Sequence, residues 1–128
     1  MKIYVSHSSG FDYQNELYQP LRKSELNKLH EITLPHEHST DQFNSKEYMK
    51  HCSLILAEVS YPSTGQGIEL GWANLYDVPI LCLYKKGAKT SETLKVISNT
   101  FIEYENSEDM AQKLTDYLST FQNRRQNP

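Results

Sequence analysis

The chain reads as an α/β protein: a five-stranded, mostly parallel sheet with helices on both faces. Three observations point there. Short β-branched or apolar runs alternate with helix-patterned segments along the whole chain. Two of those runs, SLILAEVS and VPILCLY, are continuously apolar, as expected of strands covered on both sides. At 128 residues, the chain suits one core and one domain.

The elements follow in order. KIYVS, Lys2 to Ser6, is a β-branched and aromatic run closed by a Ser/Gly cluster, hence a strand and then a loop. From Asp12 to Leu29, Tyr13, Leu17, Leu21 and Leu29 recur at helical intervals, and Pro20 demands a break or kink near Gln19. HEITLP, His30 to Pro35, is the second strand, and the polar HEHSTDQFNS after it is a loop leading into a helix from about Asp41 to His51. Ser53 to Ser60 is the third strand, with helix signals from near Gly67 to Tyr76. Val78 to Tyr84 is the fourth, followed by a basic loop, KKGAKTS, and a short helix from Glu92 to Ile97. Thr100 to Tyr104 is the fifth. Ser107 then stands as an N-cap, with Glu108 and Asp109 in the first turn and an apolar stripe of Met110, Leu114, Tyr117, Leu118 and Phe121. Residues 1–121 form the expected domain and 122–128 a polar, frayed tail.

The bulk properties exclude some functions. Thirteen basic against sixteen acidic residues give a formal net charge of −3, which argues against a nucleic-acid polymer as partner. Cys52 and Cys82 have no zinc or disulfide spacing and read as buried thiols. The start lacks a signal-peptide apolar core and no run reaches membrane-span length, so a cytoplasmic protein is expected, with no membrane partner.

In a parallel α/β sheet ligands bind beyond the carboxyl ends of the strands. Two loops fall there: SHSSG after the first strand and YPSTGQG after the third. Gly65 and Gly67 let a ligand approach the backbone, their amides lie at the start of a helix, and Ser63 adds a hydroxyl, equipment suited to a phosphate or a sugar edge. Glu69 is expected in the first turn of that helix, ionised and supported by its dipole, where it can act as a nucleophile at an anomeric carbon or stabilise an oxocarbenium-like transition state. Acidic residues also occupy first turns with no catalytic role, and spacing alone favours that plainer reading.

Here the sequence becomes specific. AEVSYPSTGQGIELGWA, Ala57 to Ala73, resembles the signature of the nucleoside 2-deoxyribosyltransferase-like superfamily, and most nearly its 2'-deoxynucleoside 5'-monophosphate N-glycosidase (N-hydrolase) branch. The resemblance continues through VPILCLYKKG and, less strongly, the C-terminal helix, while the N-terminal third matches mainly through KIYVS. It implies a Rossmann-like, flavodoxin-like three-layer sandwich, a homodimer, no cofactor or metal, and a small-molecule nucleotide or nucleoside as substrate. It implies that Glu69 attacks the anomeric carbon, with Tyr4 beside it to hold it or tune it. Ser63 in place of an aspartate implies a monophosphate rather than a nucleoside substrate, since a hydroxyl does not repel phosphate. Ser8, with Ser6 and Ser9 nearby, and Ser91 or Thr93 from a neighbouring subunit would complete the phosphate site. The alternatives are base exchange by a deoxyribosyltransferase and a non-catalytic nucleotide-binding module on the same fold.

The chain departs from that branch in two places. Ser45 stands where an aspartate that handles the leaving base or sugar is usual, with Asp41 a turn away and Glu47 two residues on. The first loop carries His7 and no arginine; a charged His7 at low pH, or Lys85, Lys86 or Lys89 across a dimer, would supply the missing charge. His30, His36, His38 and His51 lack metal-ligand spacing and read as solvent-exposed. KKGAK reads as a solvated loop, and Trp72 as packing or a dimer contact.

Overall fold

A computed structural model of the chain describes residues 1–41 and 44–126, and the side chains of all these except 122–126. Five strands, β1 (Lys2–His7), β2 (Glu31–Thr33), β3 (Leu54–Glu58), β4 (Ile80–Lys85) and β5 (Phe101–Tyr104), form one sheet in the order β2-β1-β3-β4-β5. Every pairing is parallel, so the expectation of a mostly parallel sheet is met in full. This is the flavodoxin-like order, whose connections reverse direction between β1 and β3 and leave a crevice beyond their C-terminal ends.

Strand alternation sorts the core into two layers. Ile3, Val5, Leu54, Leu56, Leu81 and Leu83 point to one face, where α1 (Gln19–Lys23), α2 (Leu26–Leu29) and α5 (Ser107–Gln126) add Leu21, Leu26, Met110, Leu114 and Leu118. Tyr4, Ile55, Ala57, Ile80 and Cys82 point to the other, covered by Met49 of α3 (Lys46–Met49) and by Leu70 and Ala73 of α4 (Thr64–Leu75). The result is a three-layer sandwich.

Several element boundaries differ from the sequence reading, each for a local reason. The segment Asp12–Leu29 is three pieces: a π-helical turn (Gln14–Tyr18) that hands over to α1 just before Pro20, then a break at extended Ser24 before α2. The backbone stays helical through Gln19, so the break expected there is only a change from π to α winding, and the interruption falls at Ser24. The helix expected over 41–51 is confined to α3, and its residues 42 and 43 lie outside the described residues. Helix α4 starts at Thr64 rather than near Gly67, because Ser63 is extended and its Oγ caps the Gln66 amide at 3.3 Å. Asn106, not Ser107, caps α5: its Oδ1 accepts from the Asp109 amide at 2.9 Å, and Asp109 accepts in return from the Glu105 amide at 2.9 Å. Backbone helix continues from Phe121 to Gln126, where a frayed tail was expected. Both cysteines are buried free thiols.

Candidate active site

Beyond the C-terminal ends of β1 and β3 lies a cleft of about 380 Å³, walled by residues of β1, α4 and the segment around Pro35 and His36. Glu69 projects into it from α4 and is half-buried. Three hydroxyls hold its carboxylate. Tyr4 donates to Oε2 at 2.5 Å and Ser45 to the same oxygen at 2.5 Å, while Ser6 donates to Oε1 at 2.9 Å. Bonds from hydroxyls to an ionised oxygen are short and strong.

The local sequence explains the convergence. Tyr4 and Ser6 are two apart on β1 and so emerge on one face, directly under α4. The Tyr4 ring is part of the core, and its hydroxyl reaches Glu69 in the cleft. Burial first, then the Glu69 charge, raise its pKa well above the usual tyrosine range, so it remains a donor. Ser45 occupies the position preceding α3, yet its hydroxyl does not cap that helix; it turns to Glu69.

One expectation is corrected here. Glu69 is the sixth residue of α4, not part of its first turn, which holds no acidic residue. The helix dipole acts within the first turn, so the hydroxyls, not the dipole, support the carboxylate.

The phosphate-cradle residues divide. Ser63 and Gly65 line the cleft at the start of α4, with Ser9 across from them. Gly65 is the second residue of the helix, where an amide has no intrahelical acceptor. The Gly67 amide donates to the Ser63 carbonyl at 3.1 Å and is therefore part of the helix ladder. Gly67 and Ser91 line a different, mainly apolar groove on the other side of α4, with Thr93, Leu94 and Ile97. Ser8 is buried, and its hydroxyl closes a turn by accepting from the Gly10 amide at 3.0 Å.

His7 does not supply positive charge. Its Nδ1 donates to the Ser8 carbonyl at 2.8 Å, which leaves Nε2 to accept from the Tyr18 hydroxyl at 2.6 Å. Tyr18 in turn accepts from the His36 amide at 3.0 Å. Burial, chiefly, and neighbouring His36 lower the His7 pKa, so the ring is neutral at pH 7. Lys85 is engaged within the chain by Glu16 and, at 3.1 Å, by Tyr61, and Lys86 by Glu105 at 3.4 Å.

The other histidines separate by environment. His38 and His51 are exposed, as expected, but His30 is buried, its Nδ1 3.1 Å from the Met1 amine. His36 lines the cleft, and its Nδ1 is buried without a hydrogen-bond partner. Its backbone is fixed at both ends, by Tyr18 and by Gln14, which donates to the His36 carbonyl at 2.9 Å. Trp72 also walls the cleft, with the Lys46 ammonium 6.0 Å from its ring centre. Among the described residues, no helix is long and apolar enough to cross a membrane, and no group of three or more His, Cys, Asp or Glu is placed to hold a metal ion.

Ser6 and Gln66 were not singled out for the roles they take. Period-two alternation from Tyr4 would have found the first. The pattern Ser63-x-x-Gln66, a helix-start signature, would have drawn attention to the second.

Comparison with known proteins agrees with the resemblance seen in Ala57–Ala73. No family model matches the chain. A protein of Syntrophotalea carbinolica, provisionally named 2'-deoxynucleoside 5'-phosphate N-hydrolase 1, is 35% identical over 75 residues, 56% of this chain and 53% of that protein. The match thus spans about half the length of that relative. In three dimensions the chain is similar to the CMP N-glycosidase BcmB of Clostridium botulinum, with a TM-score of 0.66 and 21% identity over 90% of this chain and 99% of that one. It is also similar to a conserved protein of Enterococcus faecalis V583, with a TM-score of 0.61 and 17% identity over 91% and 98%. At those identities the structural likeness is one of fold.

Proposed function

We propose that this chain hydrolyses the N-glycosidic bond of a nucleoside 5'-monophosphate, releasing the free base, with Glu69 as the nucleophile. The observation that carries the reading is the carboxylate held by Tyr4, Ser6 and Ser45 at the sheet's switch point. The sequence relative named as a nucleotide N-hydrolase supports it.

The chemistry follows from the donors. Oε2 is occupied by two short bonds, whereas Oε1 receives one longer bond and keeps a lone pair for attack. Oε1 forms a bond to the anomeric carbon as the bond from that carbon to the base nitrogen breaks, and the base leaves with the electron pair. Water then cleaves the glycosyl ester, returning Glu69 as a carboxylate. The departing base needs a proton or a strong hydrogen bond. Ser45 is committed to Glu69, so we assign that contact to His36, whose ring lines the cleft. The phosphate is assigned to the Ser63 hydroxyl, the Gly65 amide and Ser9 at the start of α4.

A homodimer belongs to the same proposal. Helix α4 leaves Ile68 and Leu75 51% and 71% exposed on one face with Trp72 between them, a stripe that a second copy would cover. Sedimentation velocity reads this directly, and a monomer at every concentration would remove it.

The function is tested by incubating the protein with deoxyribonucleoside and ribonucleoside monophosphates and the matching nucleosides, with and without an added acceptor base. Chromatography should show free base from a monophosphate without an acceptor. Product formed only with an acceptor base would replace hydrolysis by transfer, and no product from any compound would refute the proposal.

A further inference from the structure

Gln66 is buried at the mouth of the crevice and does two things at once. Its backbone amide is held by the Ser63 cap. Its side chain does not complete the usual reciprocal cap; it turns to the sheet. Nε2 donates to the Ser6 carbonyl at 3.1 Å and to the Glu58 carbonyl at 2.8 Å. Both acceptors are carbonyls, so the amide orientation is fixed by chemistry, and both Nε2 hydrogens are consumed. The two carbonyls belong to adjacent strands, β1 and β3, at the point where their chains diverge into the two ligand loops.

Three residues on, Glu69 lies on the same face of α4. Ser6 therefore meets α4 twice: its carbonyl accepts from Gln66 and its hydroxyl donates to Glu69 Oε1. The second strand is equally constrained. Glu58, 1% exposed, has its carboxylate bonded by the Ser60 amide at 2.6 Å, by the Ser60 hydroxyl at 3.1 Å and by Tyr104. Gln66 thus ties α4 to one strand that carries donors for Glu69 and to another anchored by a buried network.

We propose that Gln66 is a positioning residue that sets the reach between Ser6 and Glu69 Oε1, and through it the aim of the attacking oxygen. The proposal rests on the reading of Glu69 as the reacting carboxylate. Without the Gln66 donors, α4 remains packed through Leu70 and Ala73, but the Tyr4 and Ser6 ties from β1 run through the Glu69 carboxylate itself, the group to be positioned. Small displacements of a reacting group cost rate far more than they cost binding.

The test uses Gln66→Met, which keeps length but donates nothing, and Gln66→Glu, which keeps shape but presents oxygens to carbonyls. Each is compared with Ser6→Ala and with the double variant of Gln66→Met and Ser6→Ala. Base release by Gln66→Met should show kcat lower by roughly 10- to 100-fold with KM within a few-fold. Adding Ser6→Ala should then cost little more, since both changes act on one contact. A second readout does not require turnover: the carboxyl carbon resonance of Glu69 in labelled protein should move in the same direction in Gln66→Met as in Ser6→Ala. Wild type that turns over beside a folded Gln66→Met with unchanged kcat and an unmoved Glu69 resonance would overturn the proposal. So would losses that multiply in the double variant. Wild type that releases no base would instead overturn the hydrolase reading, and the resonance would still decide whether Gln66 positions Glu69.

Discussion

The two faces of β1 teach different lessons. On one face, Ile3 and Val5 are buried among leucines from β3, β4 and α5. On the other, Tyr4 and Ser6 are just as buried, yet each sends a hydroxyl to Glu69. Burial is equal and the alternation is the same; the difference lies in what covers each face. The first meets an unbroken apolar stripe, Met110, Leu114 and Leu118. The second meets a helix that starts over the strand ends and brings a carboxylate with it. One face of a single strand therefore serves stability and the other the proposed chemistry, and substitutions should separate them.

The largest effect is expected at the chemical face. Glu69→Ala should remove turnover, a loss of roughly 1,000-fold or more in kcat, while the thermal melt stays near wild type. Loss of folding in this variant would blur the division, so Glu69→Gln, which keeps the shape, is measured beside it. On the opposite face, Leu118→Ala should lower unfolding stability by about 2–5 kcal/mol in a denaturant titration, with kcat unchanged at temperatures where the protein is folded. A fall in kcat comparable to that of the site variants would break the separation.

Tyr4→Phe and Ser45→Ala each remove one donor from Oε2. Each should lower kcat by about 10- to 100-fold. Because both donors serve one oxygen, the double variant should fall short of the product of the two losses. The smallest effect concerns pH. His7 is lowered below its ordinary value, so on acidification the unfolded chain takes up a proton first. Stability present above about pH 6.5 is lost as pH falls toward the folded-state value, and His30, lowered by burial and the N-terminal amine, contributes in the same direction. The drop in melting temperature from pH 7 to pH 5 should therefore be smaller in His7→Gln than in wild type.

Much of this division is legible in the sequence. The run of residues from Ala57 to Ala73 gives the loop, the carboxylate and the resemblance behind the proposed chemistry, and alternating runs give the parallel sheet. Tyr4 is identifiable through the resemblance of its strand. The partners of Glu69 were harder, because they come from far along the chain: Tyr4 is 65 residues away, Ser6 63 and Ser45 24. A hydroxyl carries no periodic signal of its own. Ser45 drew notice only as a departure from an aspartate, whereas in the structure its hydroxyl becomes a third donor to the nucleophile candidate. The helix start was misplaced by three residues because glycines at 65 and 67 suggest loop, while one side-chain cap, Ser63, outweighs their poor helix propensity. That single shift moved Glu69 out of reach of the helix dipole.

The central claim is that Oε1 of the hydroxyl-held Glu69 carboxylate attacks the sugar. Rapid quenching of the enzyme with a turning-over nucleoside monophosphate, followed by peptide mass spectrometry, tests it most directly. The account predicts a transient mass increase equal to the sugar phosphate on the peptide containing Glu69, absent in Glu69→Ala. Free base released at an undiminished rate by Glu69→Ala, with no adduct on the wild-type peptide, would contradict it.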